Sequence, residues 1–458
     1  MLRGAGAVAA GALIGACSSG GRRGSSTTST SSAGQPPLLP AAPTTTALLR
    51  PGSLPRPDLP AGTDTLPQIE HIVVVMMENH SFDNYLGMLG RGDGFTLDAN
   101  GQPTAANPDR AGNTVHAFHM PTTCQLPRQP SQSWNASHAQ WNGGRNDGFV
   151  RSDSGPVAMG YWTGADLPFY YGLARTFPVA DRWFASCMAQ TYPNRRFLMA
   201  GTALGWVSDP LPSTNDPQPP NGTVFDLLNA HGISWKDYYS DLPQVALFLP
   251  VFAANKSRVA KVDQYFIDAA AGTLPAFSLI DPNSTSGSEE NPQDIHTGEA
   301  FAARVINAAL HGPAWPKTLL IWVYDEHGGY YDHVPPPPAV KPDDVAPMLT
   351  PADVPGAYDR YGFRVPAVIV SPYARKGYVS HVVHDHTSVL KLVETKWNLP
   401  ALTYRDANAD DLLDSIDLRS PPAFLTPPTL PAPGNATGVS TCASTGPGVI
   451  PPASAVTR

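Results

Sequence analysis

The chain has 458 residues, a formal net charge of −8, 42% hydrophobic residues, and 50 prolines beside 40 glycines. That is enough for one large core with loop-rich appendages. The acidic balance, with no long Lys/Arg runs, argues against a nucleic-acid partner.

The N-terminus, "MLRGAGAVAAGALIGACSSGG", has one Arg, then a run of small apolar residues, then Cys17. It is too short and too weakly apolar for a membrane span and reads as an export signal over residues 1–16. Ile14-Gly15-Ala16-Cys17 resembles a bacterial lipobox, whose Cys carries the lipid. The expectation is therefore an exported chain, either anchored in the envelope through Cys17 or secreted. Residues 17–66 are rich in Ser, Thr and Pro and predict a disordered tether. The body spans 67–421, and 422–458 form a Pro-rich tail. Cys124, Cys187 and Cys442 remain for an oxidising compartment, where one disulfide leaves one thiol over.

Within the body, "HIVVVMM" (71–77) is a β-branched run suited to a strand buried on both faces. Further strands are expected in "GISWKDYY" (232–239), "AFSLID" (276–281), "TLLIWVYDE" (318–326) and "RVPAVIVSPYA" (364–374). Helical spacing appears in "TVFDLLNAHG", in "TGEAFAARVINAALHG" with its Gly312 stop, and in "HTSVLKLVETKWNL", which opens near Thr387. The alternation predicts an α/β fold with a mainly parallel sheet. Residues 91–166 fit no period and read as a loop-rich insertion.

Two of these strands end in hard oxygen donors: Glu78-Asn79 after the first, and Asp325-Glu326 after the fourth. Ligands of open α/β sheets bind beyond the carboxyl ends of strands. Three carboxylates and an amide gathered there would repel one another unless a divalent cation compensated them. Oxygen donors suit Ca²⁺, Mg²⁺ or Mn²⁺, and nearby imidazoles would admit Zn²⁺ or Fe. Thr191 precedes Pro193 and the helical "NRRFLMAGTAL", which puts its hydroxyl at a helix N-terminus, where free amides favour a phosphate-like anion. A bound metal would make that hydroxyl a nucleophile. Among the 13 histidines, His138, His296, His333 and His386 are candidates to contact phosphate or protonate a leaving alkoxide. There is no P-loop, Rossmann fingerprint, HExxH or GxSxG, which disfavours an ordinary serine esterase.

Five stretches, in order, resemble the bacterial phosphoesterase family: "ENHSFDNYLG", "WNGGRNDGFVRSDS", "DLPFYYGLARTFPVADRWFASCMAQTYPNRRFLMAGT", "YDEHGGYYDHVPPP" and "HDHTSVLKLVE". That family includes phospholipases C and acid phosphatases and is similar in core fold to the alkaline phosphatase superfamily. The resemblance implies an alkaline phosphatase-like α/β/α sandwich. It implies a divalent metal held by Glu78, Asn79, Thr191, Asp325 and Glu326, with Thr191 as nucleophile and His138 on the phosphoryl group. Many relatives carry Glu-His-Pro where this chain has Glu290-Asn291-Pro292, and His296 is the candidate to supply the missing imidazole. The leading expectation is a phospholipase C-type hydrolase working through a phospho-threonine, on a phospholipid or small phosphoester. The alternatives are an acid phosphatase on phosphomonoesters, an envelope protein binding a metal or anion without turnover, and, weakest, a sulfatase-like hydrolase, whose formylglycine Cys signature is missing.

Overall fold

The computed structural model describes residues 47–457. The export signal, the lipobox with Cys17 and the first part of the tether lie outside the described residues.

The core is an eight-stranded sheet. Its strands are β1 (His71–Met77), β2 (Val179–Ala180), β3 (Trp235–Tyr239), β4 (Val259–Lys261), β5 (Phe277–Ile280), β6 (Thr318–Tyr324), β7 (Ala367–Val370) and β8 (Val379–Ser380). Their spatial order is β8-β2-β7-β6-β1-β5-β3-β4. β1 lies between β6 and β5, parallel to both, and β3 and β4 continue in the same direction. Only β7 is reversed, running antiparallel to β6 and β2. Residues Ile72 to Met77 are fully buried, as a β-branched run covered on both faces requires. The short strands β2, β4 and β8 leave no periodic trace in the sequence.

Apart from the four-residue helices Tyr404–Ala407 and Cys442–Thr445, the α-helices are α1 (Phe82–Leu86), α2 (Trp134–Trp141), α3 (Pro168–Thr176), α4 (Thr191–Ala200), α5 (Val224–Ala230), α6 (Leu249–Ala254), α7 (Val262–Ala271), α8 (Ile295–His311) and α9 (Thr387–Trp397). They form two groups: α8 packs on β1 and β6 and touches α3 and α7, while α4 touches α5 and α9. The long α8 lays Ala302, Ala303, Val305, Ile306, Ala309 and Leu310 inward, and its alanines permit close approach to the sheet. No helix among the described residues is long and apolar enough to cross a membrane.

The described part of the tether differs from expectation. Residues 47–66 run along the body: Gly52 N–H donates to Ala401 O, Arg56 N–H to Asn398 Oδ1 and Thr65 N–H to Lys396 O. Composition gave no sign of this, because the anchoring partners are backbone and amide groups supplied by 396–408. The tail is likewise held. Cys442 is disulfide-bonded to Cys124, Gly434 N–H donates to Glu299 Oε2 at 2.7 Å, and Val456–Thr457 pairs with Thr114–Val115. Cys187 is the free, buried thiol. The insertion over 91–166 holds α2 and short two- and three-residue strands between loops.

Candidate active site

Three adjacent parallel strands each deliver a carboxylate at the same edge. β5 runs into Asp281, β1 into Glu78 and β6 into Asp325. The register places Met77 opposite Tyr324, so the next residue of each strand emerges side by side, and Asp325 N–H donates to Met77 O at 3.2 Å. Asn79 and Glu326 follow directly, both buried.

α4 faces this edge with its first turn. Thr191 is its first residue, and its hydroxyl donates to Asn79 Oδ1 at 3.5 Å. Arg195 lies four residues on, on the same helix face. Its guanidinium is fully buried and bridges all three strand ends. Nη2 donates to Glu78 Oε1 at 2.9 Å, Nη1 to Asp281 Oδ1 at 3.2 Å and Nε to Asp325 Oδ2 at 2.9 Å. Asp209 accepts from the amide of Tyr192 at 2.7 Å, so a carboxylate of the chain already takes one of the helix amides expected to receive an anion.

The acids outnumber their one guanidinium. Burial, together with Asp325 and Glu290, pushes Glu78 up to about 8 against the pull of Arg195. Burial raises Asp325 as well, and burial beside Asp325 holds Glu326 well above the carboxylate range. Glu290 is pushed up to about 7 by burial and Asp325, and Asp209 to about 6 chiefly by burial. Among the described residues, Glu78 Oε2, Asp281 Oδ2 and Glu326 Oε1 are buried without a hydrogen-bond partner.

The four histidine candidates part ways. His386 reaches the site from behind: its Nε2 donates to the Asp325 carbonyl at 2.6 Å, and its Nδ1 accepts from Trp183 Nε1 at 3.4 Å. Indole N–H is only a donor and a carbonyl only an acceptor, so the neutral Nε2–H tautomer is fixed. Its role is to hold the Asp325 backbone, and no proton is left to offer a substrate. His138 sits in α2 with Nδ1 on Trp134 O at 2.8 Å and its ring against Trp134. α2 is tied to α4 through the apolar cluster of Trp134, Tyr358 and Phe197, but His138 makes no hydrogen bond to the carboxylate group. His333 and His296 are not brought to the site. His333 bridges Asp83 at 2.7 Å and Asp93 at 3.2 Å, because the loop after Glu326 turns away at Gly328. His296 donates to Asp166 O at 2.8 Å at the start of α8 and does not stand in for the missing imidazole.

The family model described as Phosphoesterase family matches residues 69–400, from just before β1 to beyond α9. The chain belongs to the Phosphoesterase family. It is similar to phospholipase C B of Mycobacterium tuberculosis, with 32% identity over 415 residues covering 78% of this chain and 79% of that protein. Phospholipase C A of the same species is 30% identical over 418 residues, covering 78% and 79%. Non-specific phospholipase C1 of Arabidopsis thaliana is 30% identical over 400 residues, covering 79% and 74%. A solved protein of the alkaline phosphatase superfamily from Vibrio parahaemolyticus aligns over 72% of this chain and 77% of its own at 13% identity, with a TM-score of 0.37, too low to weigh in the assignment.

This phosphoesterase is a hydrolase of phosphoric esters. Its carboxylate edge fits a divalent cation by the chemistry of its donors: Glu78 Oε2, Asp281 Oδ2 and Glu326 Oε1 are buried carboxylate oxygens free of hydrogen bonds among the described residues. Arg195, Asp281 and Asp209 were not singled out from sequence, and Glu290 was noted only as the start of Glu290-Asn291-Pro292. The signals were there: Asp281 ends the strand stretch "AFSLID", and Arg195 recurs four residues after Thr191. Glycine explains how Glu326 reaches its place. Gly328 has φ +65°, and a Cβ there would stand 1.9 Å from Asn79 O, so only glycine lets this loop cross Asn79.

Proposed function

We propose that this phosphoesterase is a phospholipase C-type enzyme, exported, with Thr191 as nucleophile and a divalent cation held by Glu78, Asn79, Thr191, Asp325 and Glu326. The observation that carries the reading is the Thr191 hydroxyl on Asn79 Oδ1, with Arg195 on the same helix face gripping the three strand-end carboxylates. The substrate class is supported by the phospholipase C relatives. Export is supported by the Cys124–Cys442 disulfide, a bond that persists in oxidising compartments; Cys17 would supply the lipid anchor.

Thr191 Oγ1 attacks phosphorus in line with the ester oxygen of the leaving diacylglycerol. The P–O bond to that alcohol breaks and phospho-threonine forms. Water then attacks the same phosphorus and frees Thr191 with release of the phosphorylated headgroup. Asn79 orients the hydroxyl, and Arg195 fixes the spacing of the acids around it. When bound, the cation would lower the hydroxyl pKa and neutralise charge on the phosphoryl oxygens. His138, across the Trp134–Tyr358–Phe197 cluster, is the imidazole assigned to the phosphoryl group or the leaving oxygen.

The test is hydrolysis of phosphatidylcholine vesicles against p-nitrophenyl phosphate, before and after chelation, in wild type and Thr191→Ala. Phosphocholine release that is abolished by chelation and by Thr191→Ala is expected. Activity confined to p-nitrophenyl phosphate would replace the lipase reading by a phosphomonoesterase. Indifference to both perturbations would overturn the mechanism.

A further inference from the structure

On the outer edge of the sheet, with three strands between it and β1, lies a second cluster that the catalytic reading does not use. His384 follows β8 by four residues and is fully buried. Its Nε2 is 3.0 Å from Ser380 Oγ, and the Ser380 hydroxyl donates in turn to Asp414 Oδ2. The hydroxyl proton is thereby spent on Asp414, so Ser380 Oγ accepts from His384 and Nε2 carries the imidazole proton. Nδ1 is left as a bare lone pair. It lies 3.3 Å from Asp410 Oδ1, and among the described residues it has no hydrogen-bond partner.

Two acceptors facing each other, one of them the buried Nδ1, repel unless a cation lies between them. A proton on Nδ1 would supply one, but burial holds the imidazole below its ordinary pKa, and the alignment with Asp410 is not that of a hydrogen bond. A metal ion meets the geometry better. Two ligand atoms on one tetrahedral zinc, with bonds of roughly 2.0–2.2 Å, stand about 3.3 Å apart. One ligand atom from each of His384, Asp410 and Asp414 lies within 4.8 Å of the others, with Asp414 on the Nε2 side, its Oδ1 3.9 Å from that nitrogen. The Nε2–H to Ser380 to Asp414 relay is the arrangement that orients a metal-bound histidine. Asp410 and Asp414 are partly exposed, at 35% and 20%, which leaves an entry path and room for water.

We infer that His384 Nδ1 and Asp410 hold a second divalent cation, separate from the catalytic carboxylates, with Asp414 orienting the imidazole through Ser380 and water completing the shell, for a transition ion of the zinc kind. An imidazole beside a carboxylate suits zinc, whereas calcium prefers oxygen alone. The bound ion would clamp the 410–414 segment to the segment leading from β8 into His386, the residue that holds the Asp325 carbonyl.

The test uses the full chain stripped by chelator and titrated with Zn²⁺, comparing wild type with the double variant Asp410→Asn/Asp414→Asn. Both substitutions are partly exposed and isosteric, so the variant folds. Wild type should take up one equivalent more than the double variant, and its melting midpoint should rise further on zinc addition. Turnover of the metal-loaded variant should persist, since neither residue belongs to the catalytic group. In Glu326→Gln, the equivalent assigned to His384 should remain. Equal zinc equivalents in wild type and double variant would overturn the inference, and so would an identical zinc-induced rise in melting midpoint.

Discussion

Arg195 Nη2 donates to Glu78 Oε1 at 2.9 Å, while the other oxygen of the same carboxylate has no hydrogen-bond partner among the described residues. The two oxygens of one carboxylate are thus divided: the first anchors the guanidinium, and the second is free for the cation proposed above. The same division holds across the site: Arg195 fixes one side of Glu78, Asp281 and Asp325, and Glu326 Oε1 remains open on the other.

Removing the guanidinium should therefore cost stability before it costs chemistry. Arg195→Ala leaves three buried carboxylates without their partner, and breaking a buried ion pair on one side costs about 3–5 kcal/mol. Arg195→Lys should recover only part, because one ammonium cannot reach three strand ends in the fork geometry. Urea unfolding of the three proteins checks this. Equal midpoints for wild type and Arg195→Ala would refute it.

Thr191 is the reverse case. Its side chain makes one long hydrogen bond, so Thr191→Ala should keep the unfolding midpoint near that of wild type. Turnover should fall on the order of 10³-fold or more, as for the loss of other covalent nucleophiles. Thr191→Ser keeps the hydroxyl and should keep measurable turnover. Initial rates on phosphatidylcholine, with trapping of phosphorylated protein in wild type and its absence in Thr191→Ala, decide the matter.

The strand ends were legible because a buried β-branched run seldom stops on carboxylates unless those groups have a ligand to hold. The pairing of Glu78-Asn79 with Asp325-Glu326 followed from the rule that parallel strands end at one edge. Asp281 was hidden by Pro282 and Asn283, which make a strand end look like an ordinary turn. Arg195 was hidden because an arginine in a short helix reads as a solvent-facing residue; only the strand order shows that three acids surround it. His333 misled for the opposite reason. It stands eight residues after Asp325, but Gly328 and Gly329 turn the chain away, and nearness in sequence did not become nearness in space. How the tail is held was not legible, because composition cannot register which cysteines pair or backbone hydrogen bonds to a distant partner.

His333 supplies an alkaline prediction. Burial opposes its charge, but Asp83 and Asp93 outweigh that and hold its pKa up to about 10, from 6.5. A folded pKa above the unfolded value means that the stabilisation is complete below pH 6.5 and fades as the pH climbs toward 10. Discounted for the 29% exposure of the side chain, the contribution is about 3 kcal/mol. The stability advantage of wild type over His333→Gln should shrink by that order between pH 6 and pH 10 in urea titrations. An advantage independent of pH would remove the imidazolium from the network.

His386 supplies the acid limb and separates positioning from proton transfer. Burial holds its pKa down to about 4, so the folded chain keeps it neutral where the unfolded chain begins to protonate it. Stability is then lost as the pH falls from 6.5 toward 4, by about 3 kcal/mol for this one group. The molecular reason is specific: a second proton would have to enter at Nδ1, where Trp183 already donates. His386→Gln removes the titration while retaining an amide N–H for the Asp325 carbonyl, and His386→Phe removes both. His386→Phe should lower kcat by about 10²-fold, the scale on which a misplacement near 1 Å acts, with KM little changed. His386→Gln should restore most of that loss and should unfold less steeply than wild type between pH 6.5 and 4. If His386 were instead the general acid, His386→Gln would be as inactive as His386→Phe, and the alkaline limb of the wild-type rate profile, where such an acid loses its proton, would vanish in both.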